Sequence, residues 1–127
     1  PLRTNPVSDM ATKIKDYDFQ RLRAADPRGV VLKLVGPEEA YDQACDDYVF
    51  RVPTRADFLA YKTHQKKALL GQAAPDAACA LARLCLLFPA KEDFDALRER
   101  APAIAEDLGE DLVEAAAAGL SVREGKR

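Results

Sequence analysis

The chain has 127 residues, a length that suits a single folded domain. Apolar residues make up 48% of it and charged residues 31%, which argues against disorder over most of its length. A formal net charge of -2 argues against a broad positive field for nucleic acid or an anionic membrane. The longest strongly apolar run, residues 84–89, is far shorter than the roughly 18 residues that span a bilayer.

The two ends of the chain differ in composition from its middle. Residues 1–10 are interpreted as a disordered or artificially added segment, because Met10 can be the natural start. They lack the basic start and apolar stretch of a secretory signal, so we expect a cytoplasmic protein. Residues 121–127 are charged and without apolar anchors, which predicts a flexible tail. Residues 11–120 are predicted to form a single helical domain with a β-hairpin-like element.

Two apolar segments in the first half of the chain predict a pair of strands. A short helix is expected within residues 11–27, which end in a turn signal. The run Val30–Val35 is rich in β-branched residues and is followed by a Gly-Pro pair. Residues 48–53 alternate, which places Tyr48 and Phe50 on one face. Because two strands alone are marginally stable, we expect them to pack on helices or on strands of another copy.

A capping box predicts where the first long helix begins. The Thr54 hydroxyl can accept a hydrogen bond from the backbone N–H of Asp57, whose carboxylate also favours the positive end of the helix. We expect this helix to end within residues 71–75. The acidic segment before the second strand, residues 38–47, leaves open a helical turn or a loop.

Three further helices are predicted in the second half. Asp76 is a good N-cap for a helix that ends before a proline, and residues 91–100 predict a short helix. Pro102 suits the first position of the last helix, which is expected to end at Gly119. The fold class is therefore α+β and mostly helical, with a short two-stranded β element followed by about four α-helices. The stripes expected to face the core contain Ala77, Leu81, Leu84, Cys85, Phe88, Phe94, Leu97, Ile104, Leu108, Leu112, Val113 and Ala116.

The sequence contains no recognisable catalytic, cofactor-binding or metal-binding motif. The only histidine, His64, lies among polar residues and is interpreted as a surface residue. Three cysteines show no CxxC spacing, and Cys79 and Cys85 lie on an apolar helix, where a buried and inert thiol is expected. Glycine-rich phosphate loops are also absent from the sequence. We therefore expect a protein that binds other polypeptides and is not an enzyme.

Candidate partner-binding residues surround the second strand and the helix after it, with two more on the last helix. The aromatic residues among them either pack between strand and helix or help to form a partner groove. The basic run at residues 62–67 is interpreted as a solvated helix face, with a phosphate contact as the alternative. The candidates are Tyr48, Phe50, Arg51, Pro53, Arg55, Phe58, Tyr61, Leu108 and Leu112.

Three short motifs carry a resemblance to a known family. Residues 48–58 read YVFRVPTRADF, residues 80–89 read ALARLCLLFP, and residues 94–97 read FDAL. Over roughly the last eighty residues the chain resembles the tail assembly chaperones of tailed bacteriophages, which carry a strand leading into such a helix start and a helix ending in an aromatic-Pro pair. Its longer N-terminal portion and the insertion between its strands depart from that pattern.

The resemblance implies a non-enzymatic protein of the host bacterial cytoplasm. Such a chaperone binds the phage tape measure protein, helps to recruit tail tube protein and leaves the finished tail. We also expect self-association through strand edges or the C-terminal helix, and no membrane partner. The alternative is a structural virion or adaptor protein that stays in the particle. A nucleic-acid-binding regulator using residues 62–67 is a third interpretation, against which the net charge argues.

Overall fold

The computed structural model describes residues 11–37, 44–72 and 76–117. The α+β, mostly helical class is confirmed, with five helices and three strands in these ranges. The segments expected to be disordered or flexible, residues 1–10 and 121–127, lie outside them, as does Gly119. The elements are α1 (Asp16–Ala25), β1 (Val30–Val35), β2 (Asp46–Arg51), α2 (Arg55–Leu69), α3 (Ala77–Cys85), β3 (Leu86–Phe88), α4 (Lys91–Arg100) and α5 (Pro102–Ala116).

The strands form one antiparallel sheet in the order β1-β2-β3. β1 pairs with β2 along its whole length, from Val30 opposite Arg51 to Val35 opposite Asp46. Residues 47–50 of β2 are all buried, so both faces of the sheet are covered at this central strand. β1 and β3 are the two edge strands.

Hydrogen bonds join the segments that flank helix α1 to β2 and to the residues that follow β2. Before the helix, the backbone N–H of Asp47 donates a 2.7 Å hydrogen bond to the carbonyl of Thr12. After it, the guanidinium of Arg28 donates to the carbonyls of Pro53 and Val52, at 2.6 and 2.7 Å. The helix expected within residues 11–27 is therefore confirmed, and these ties place it alongside β2.

β3 occupies residues that were predicted to continue a helix. α3 ends at Cys85, and Leu86 pairs instead with Phe50 of β2. A run of apolar residues before a proline is compatible with a buried helix end and with a strand. The available edge of β2 decides between these two outcomes. The predicted burial of Leu84 is also wrong, because its side chain lies at the boundary of α2 and α3 and the residue is 47% exposed.

The core lies between one face of the sheet and helices α3, α4 and α5. α3 is its centre, since it packs against α2, α4, α5 and β2. Phe94 and Leu97 of α4 are fully buried, as their spacing predicted. Ile104 of α5 is 42% exposed, which corrects its predicted place in the core.

Gly109 lies where α5 passes close to α3. A Cβ atom at this position would lie 2.0 Å from the carbonyl oxygen of Ala78, well inside van der Waals contact. Only glycine therefore allows the two helix backbones to meet here. Nothing in the sequence singles out Gly109, because an isolated glycine within a helical pattern carries no sign of what crosses it.

Candidate partner-binding groove

Four of the predicted partner-binding residues belong to the core. Tyr48 and Phe50 of β2 and Leu108 and Leu112 of α5 are at most 4% exposed and pack in the same cluster. The core alternative is thus confirmed for the two aromatic residues of β2. A partner cannot reach any of the four in this fold, which corrects their assignment to a binding surface. Pro53 is likewise buried.

Arg51, another predicted binding residue, is held by contacts within the protein. Its guanidinium donates to both carboxylate oxygens of Asp57, with Nη2 3.4 Å from Oδ1. Nη2 also lies 3.5 Å from the carbonyl oxygen of Leu84 at the end of α3. Arg51 therefore joins β2 to α2 and α3, which leaves its guanidinium little freedom to bind a partner.

Asp57 completes the predicted capping box. Its carboxylate accepts the backbone N–H of Thr54 at 2.8 Å, and its own N–H donates to the Thr54 hydroxyl at 3.1 Å. The hydrogen bond from Arg51, supported by those from Thr54, lowers the pKa of Asp57 to about 2. The carboxylate is consequently charged throughout the physiological range.

Asp57→Asn is expected to remove about 2 kcal/mol of stability at pH 7, since the pKa of Asp57 falls from 3.8 to about 2 on folding. This contribution is present above pH 4 and is lost as the pH drops through 2, because both states are then protonated. Urea unfolding from pH 7 to pH 2 should show the variant and the parent converging. Asp95→Asn, which removes an exposed pair with Arg83, should cost less. A constant difference between Asp57→Asn and the parent at all pH values would contradict the assignment.

Cys85 lies beside this cluster and is fully buried. Its Sγ is 4.0 Å from Oδ2 of Asp57 in the interior of the protein. Burial raises the pKa of the Cys85 thiol to about 11, so it stays protonated at neutral pH. The contacts of this cluster therefore link β2, α2 and α3 within the fold.

The remaining predicted residues, Arg55, Phe58 and Tyr61, line two cavities along the surface between α2 and α5. We call this surface the α2–α5 groove. Its first part is a cavity of about 440 Å³ at the beginning of α2 and the end of α5. Phe58 is half-buried there, its ring centroid 6.0 Å from that of Tyr61. The cavity is lined by Arg28, Pro53, Thr54, Arg55, Phe58, Val113, Ala116 and Ala117.

The second part of the groove is a cavity of about 530 Å³ where the end of α2 faces the first half of α5. The start of α3 forms its floor. Leu69 projects at its edge and is 87% exposed, so a large apolar side chain is already in water. The lining residues are Tyr61, Gln65, Ala68, Leu69, Asp76, Ala77, Ala78, Glu106 and Glu110.

The two ends of the groove carry opposite charge. Arg28 and Arg55 border the first part, whereas Asp76, Glu106 and Glu110 border the second. Both sets flank apolar surface contributed by α2, α3 and α5. Charges beside an apolar floor orient a partner and select against wrong ones. The arrangement suits a bound polypeptide segment that is itself amphipathic and unequally charged at its ends.

The lysines of residues 62–67 lie outside this lining. Lys62, Lys66 and Lys67 are exposed on α2, which confirms the interpretation of a solvated helix face. The Lys62 ammonium is 6.0 Å from the centroid of the Phe58 ring. These lysines add positive charge on the outer side of α2 and leave the floor of the groove apolar.

Comparisons with known protein families, curated proteins and solved structures found no match. In the described ranges, no group of three or more His, Cys, Asp or Glu side chains is arranged to hold a metal ion. In the same part of the chain, no helix is both long enough and apolar enough to cross a membrane. The fold and the two cavities between α2 and α5 define an α+β protein with an open interhelical groove.

Proposed function

We propose that this protein is a non-enzymatic binding protein whose α2–α5 groove holds an amphipathic helix of another polypeptide. The observation that carries the proposal is the apolar floor between two helices with arginines at one end and carboxylates at the other. Binding a helix by its apolar face in such a groove is a recurrent mode of peptide recognition. The groove is lined by side chains from three helices, so the site is built on rigid elements.

The charges also specify a direction for the bound helix. Helices are stabilised by acidic residues in their first turn and basic residues in their last. Such a helix places its N-terminus at Arg28 and Arg55 and its C-terminus at Glu106 and Glu110, and therefore runs parallel to α2. α2 has 15 residues, about 22 Å of helix, which sets the length of partner that the groove accepts.

We further propose that the partner is a phage tape measure protein and that the chain is a tail assembly chaperone. The resemblance of residues 48–58, 80–89 and 94–97 to that family supports this identity. A long helical protein with an apolar stripe exposes that stripe to water until tail tube protein encloses it. An open groove can bind the stripe reversibly during this time. In this role the chain binds the tape measure protein in the cytoplasm of the host bacterium.

Reversing the charge at the acidic end of the groove is expected to weaken capture of the tape measure protein at least about tenfold, since lysines there would repel the basic end of the helix. The variant is Glu106→Lys with Glu110→Lys, tested by co-expression, affinity purification and mass spectrometry. The matched control, Glu92→Lys with Glu99→Lys, makes the same change on α4, away from the groove lining. Equal capture by both double variants would contradict the groove as the binding site.

The fate of the chain during assembly tests the chaperone role itself. A chaperone is recovered with the tape measure protein from infected cells and is missing from purified particles. Recovery of stoichiometric amounts from mature particles would instead identify a virion or adaptor protein. Failure of the parent chain to capture any tape measure protein would overturn the proposed partner.

A further inference from the structure

β1 presents an open strand edge next to exposed apolar side chains. It pairs with β2 on one side, and within the described ranges no other segment donates or accepts a backbone hydrogen bond to it. Leu32 and Leu34 alternate with Val31 and Val35, which pack against the core, and they are 44% and 43% exposed. An edge of this length and composition is a template for pairing with another strand.

We propose that this edge pairs with β1 of a second copy of the chain, in antiparallel orientation, to form a two-fold dimer with a continuous six-stranded sheet. A two-fold axis through Leu32 sets Leu32 opposite its counterpart and Val30 opposite Leu34 of the other copy. Every apolar side chain on the outer face of β1 then meets another one. This inference does not depend on the helix-binding function.

The lysine in the middle of β1 excludes the register that is centred on it. An axis through Lys33 would bring two ammonium groups directly opposite each other, which destabilises a strand pair. With the axis at Leu32, Lys33 lies opposite Val31 instead. Within its own copy, Nζ of Lys33 is 2.7 Å from Oδ2 of Asp111 on α5, so the ammonium group is directed toward α5. Its charge therefore does not block the edge.

The surroundings of the edge also suit a second copy rather than a strongly charged partner. A cavity of about 590 Å³ opens between β1 and α5. Its lining carries both signs of charge, from Lys33 and Arg100 and from Asp46, Asp107 and Asp111. Because this lining carries both signs of charge, two identical copies do not bring surfaces of a single sign together.

The register predicts which engineered cysteine forms a disulfide across the axis. The three native cysteines are buried, so a cysteine introduced on β1 is the accessible thiol. Leu32→Cys should give a covalent dimer under mild oxidation, since its counterpart is directly opposite. Leu34→Cys should not, because its counterpart lies four residues away along the pair. Covalent dimer from Leu34→Cys but not from Leu32→Cys would overturn the proposed register.

The oligomeric state tests the interface without relying on cross-linking. Size-exclusion chromatography with light scattering should show a dimer for the parent chain. Leu32→Lys with Leu34→Lys should raise the dimer dissociation constant at least about tenfold, because the two lysines at position 32 would lie directly opposite each other and those at position 34 would add positive charge to the same face. The control, Leu69→Lys with Leu70→Lys, adds the same charge on other exposed leucines and should remain dimeric. A monomeric parent, or a dimer untouched by the β1 changes, would overturn the proposal.

The same variants separate this interface from the groove. The β1 double variant should lose the dimer and keep capture of the tape measure protein. The Glu106→Lys and Glu110→Lys variant should lose capture and keep the dimer. Each proposal can therefore fail without the other.

Discussion

Leu112→Asp is expected to abolish folding. Leu112 is fully buried in the cluster between α5 and the sheet, and a carboxylate there would have no partner in an apolar site. Loss of the side chain alone, in Leu112→Ala, should cost about 2 to 5 kcal/mol, and the buried charge adds enough to exceed the stability of a typical small domain. Far-UV circular dichroism and urea unfolding of both variants measure these effects.

The matched control is Leu69→Asp, the same chemical change at a leucine that is 87% exposed. It should keep native circular dichroism and lose at most a few tenths of a kcal/mol of stability. A well-folded Leu112→Asp variant would place Leu112 on a surface after all and would refute the core described above.

Gly109→Ala is expected to destabilise the protein by about 3 kcal/mol or more, although helix propensity alone favours alanine by about 1 kcal/mol. The new methyl group would lie 2.0 Å from the Ala78 carbonyl oxygen, and Cβ contacts essentially never fall below 3.0 Å. α3 and α5 would have to separate by at least about 1 Å. The backbone carbonyl cannot rotate aside as a side chain can, so the packing between the helices must open.

Gly71→Ala provides the comparison, since Gly71 has a φ of +75° and, apart from its chain neighbours, no atom of the described residues lies within 4 Å of the place that a methyl group would take. Only left-handed backbone strain opposes that substitution, at about 1 kcal/mol. Thermal or urea unfolding should therefore rank the parent above Gly71→Ala and Gly71→Ala above Gly109→Ala. If Gly109→Ala were as stable as the parent, the close crossing of α3 and α5 would be wrong.

The packing at Gly109 affects both the stability of the protein and the shape of the α2–α5 groove. The close crossing brings the start of α3 up between α2 and α5, where Ala77 and Ala78 form the floor. A wider separation of α3 and α5 would deepen the floor and move Glu106 and Glu110 away from α2. We therefore expect helix binding to be sensitive to this packing even in variants that remain folded.

Local sequence determined most of the elements of this fold. The Thr54 and Asp57 capping box forms from groups three residues apart, and it is present with both hydrogen bonds. Asp76 caps α3 for the same reason, through a hydrogen bond from the N–H of Cys79. The inward positions of Phe94 and Leu97 follow from helical periodicity. Each of these features depends on residues within about one helical turn, so it forms independently of distant segments of the chain.

Tertiary contacts decided which faces of those elements are buried and which element covers each face. Residues 86–88 became β3 because β2 offered an edge, and a short apolar run cannot distinguish that outcome from a helix end. Burial of Tyr48, Phe50, Leu108 and Leu112 removed them from the candidate surface, whereas Arg55, Phe58 and Tyr61 remained on the groove. Alternation and periodicity identify apolar faces but not the element that covers each face. That assignment requires contacts between residues far apart in the chain, such as Gly109 with Ala78 and Arg51 with the end of α3.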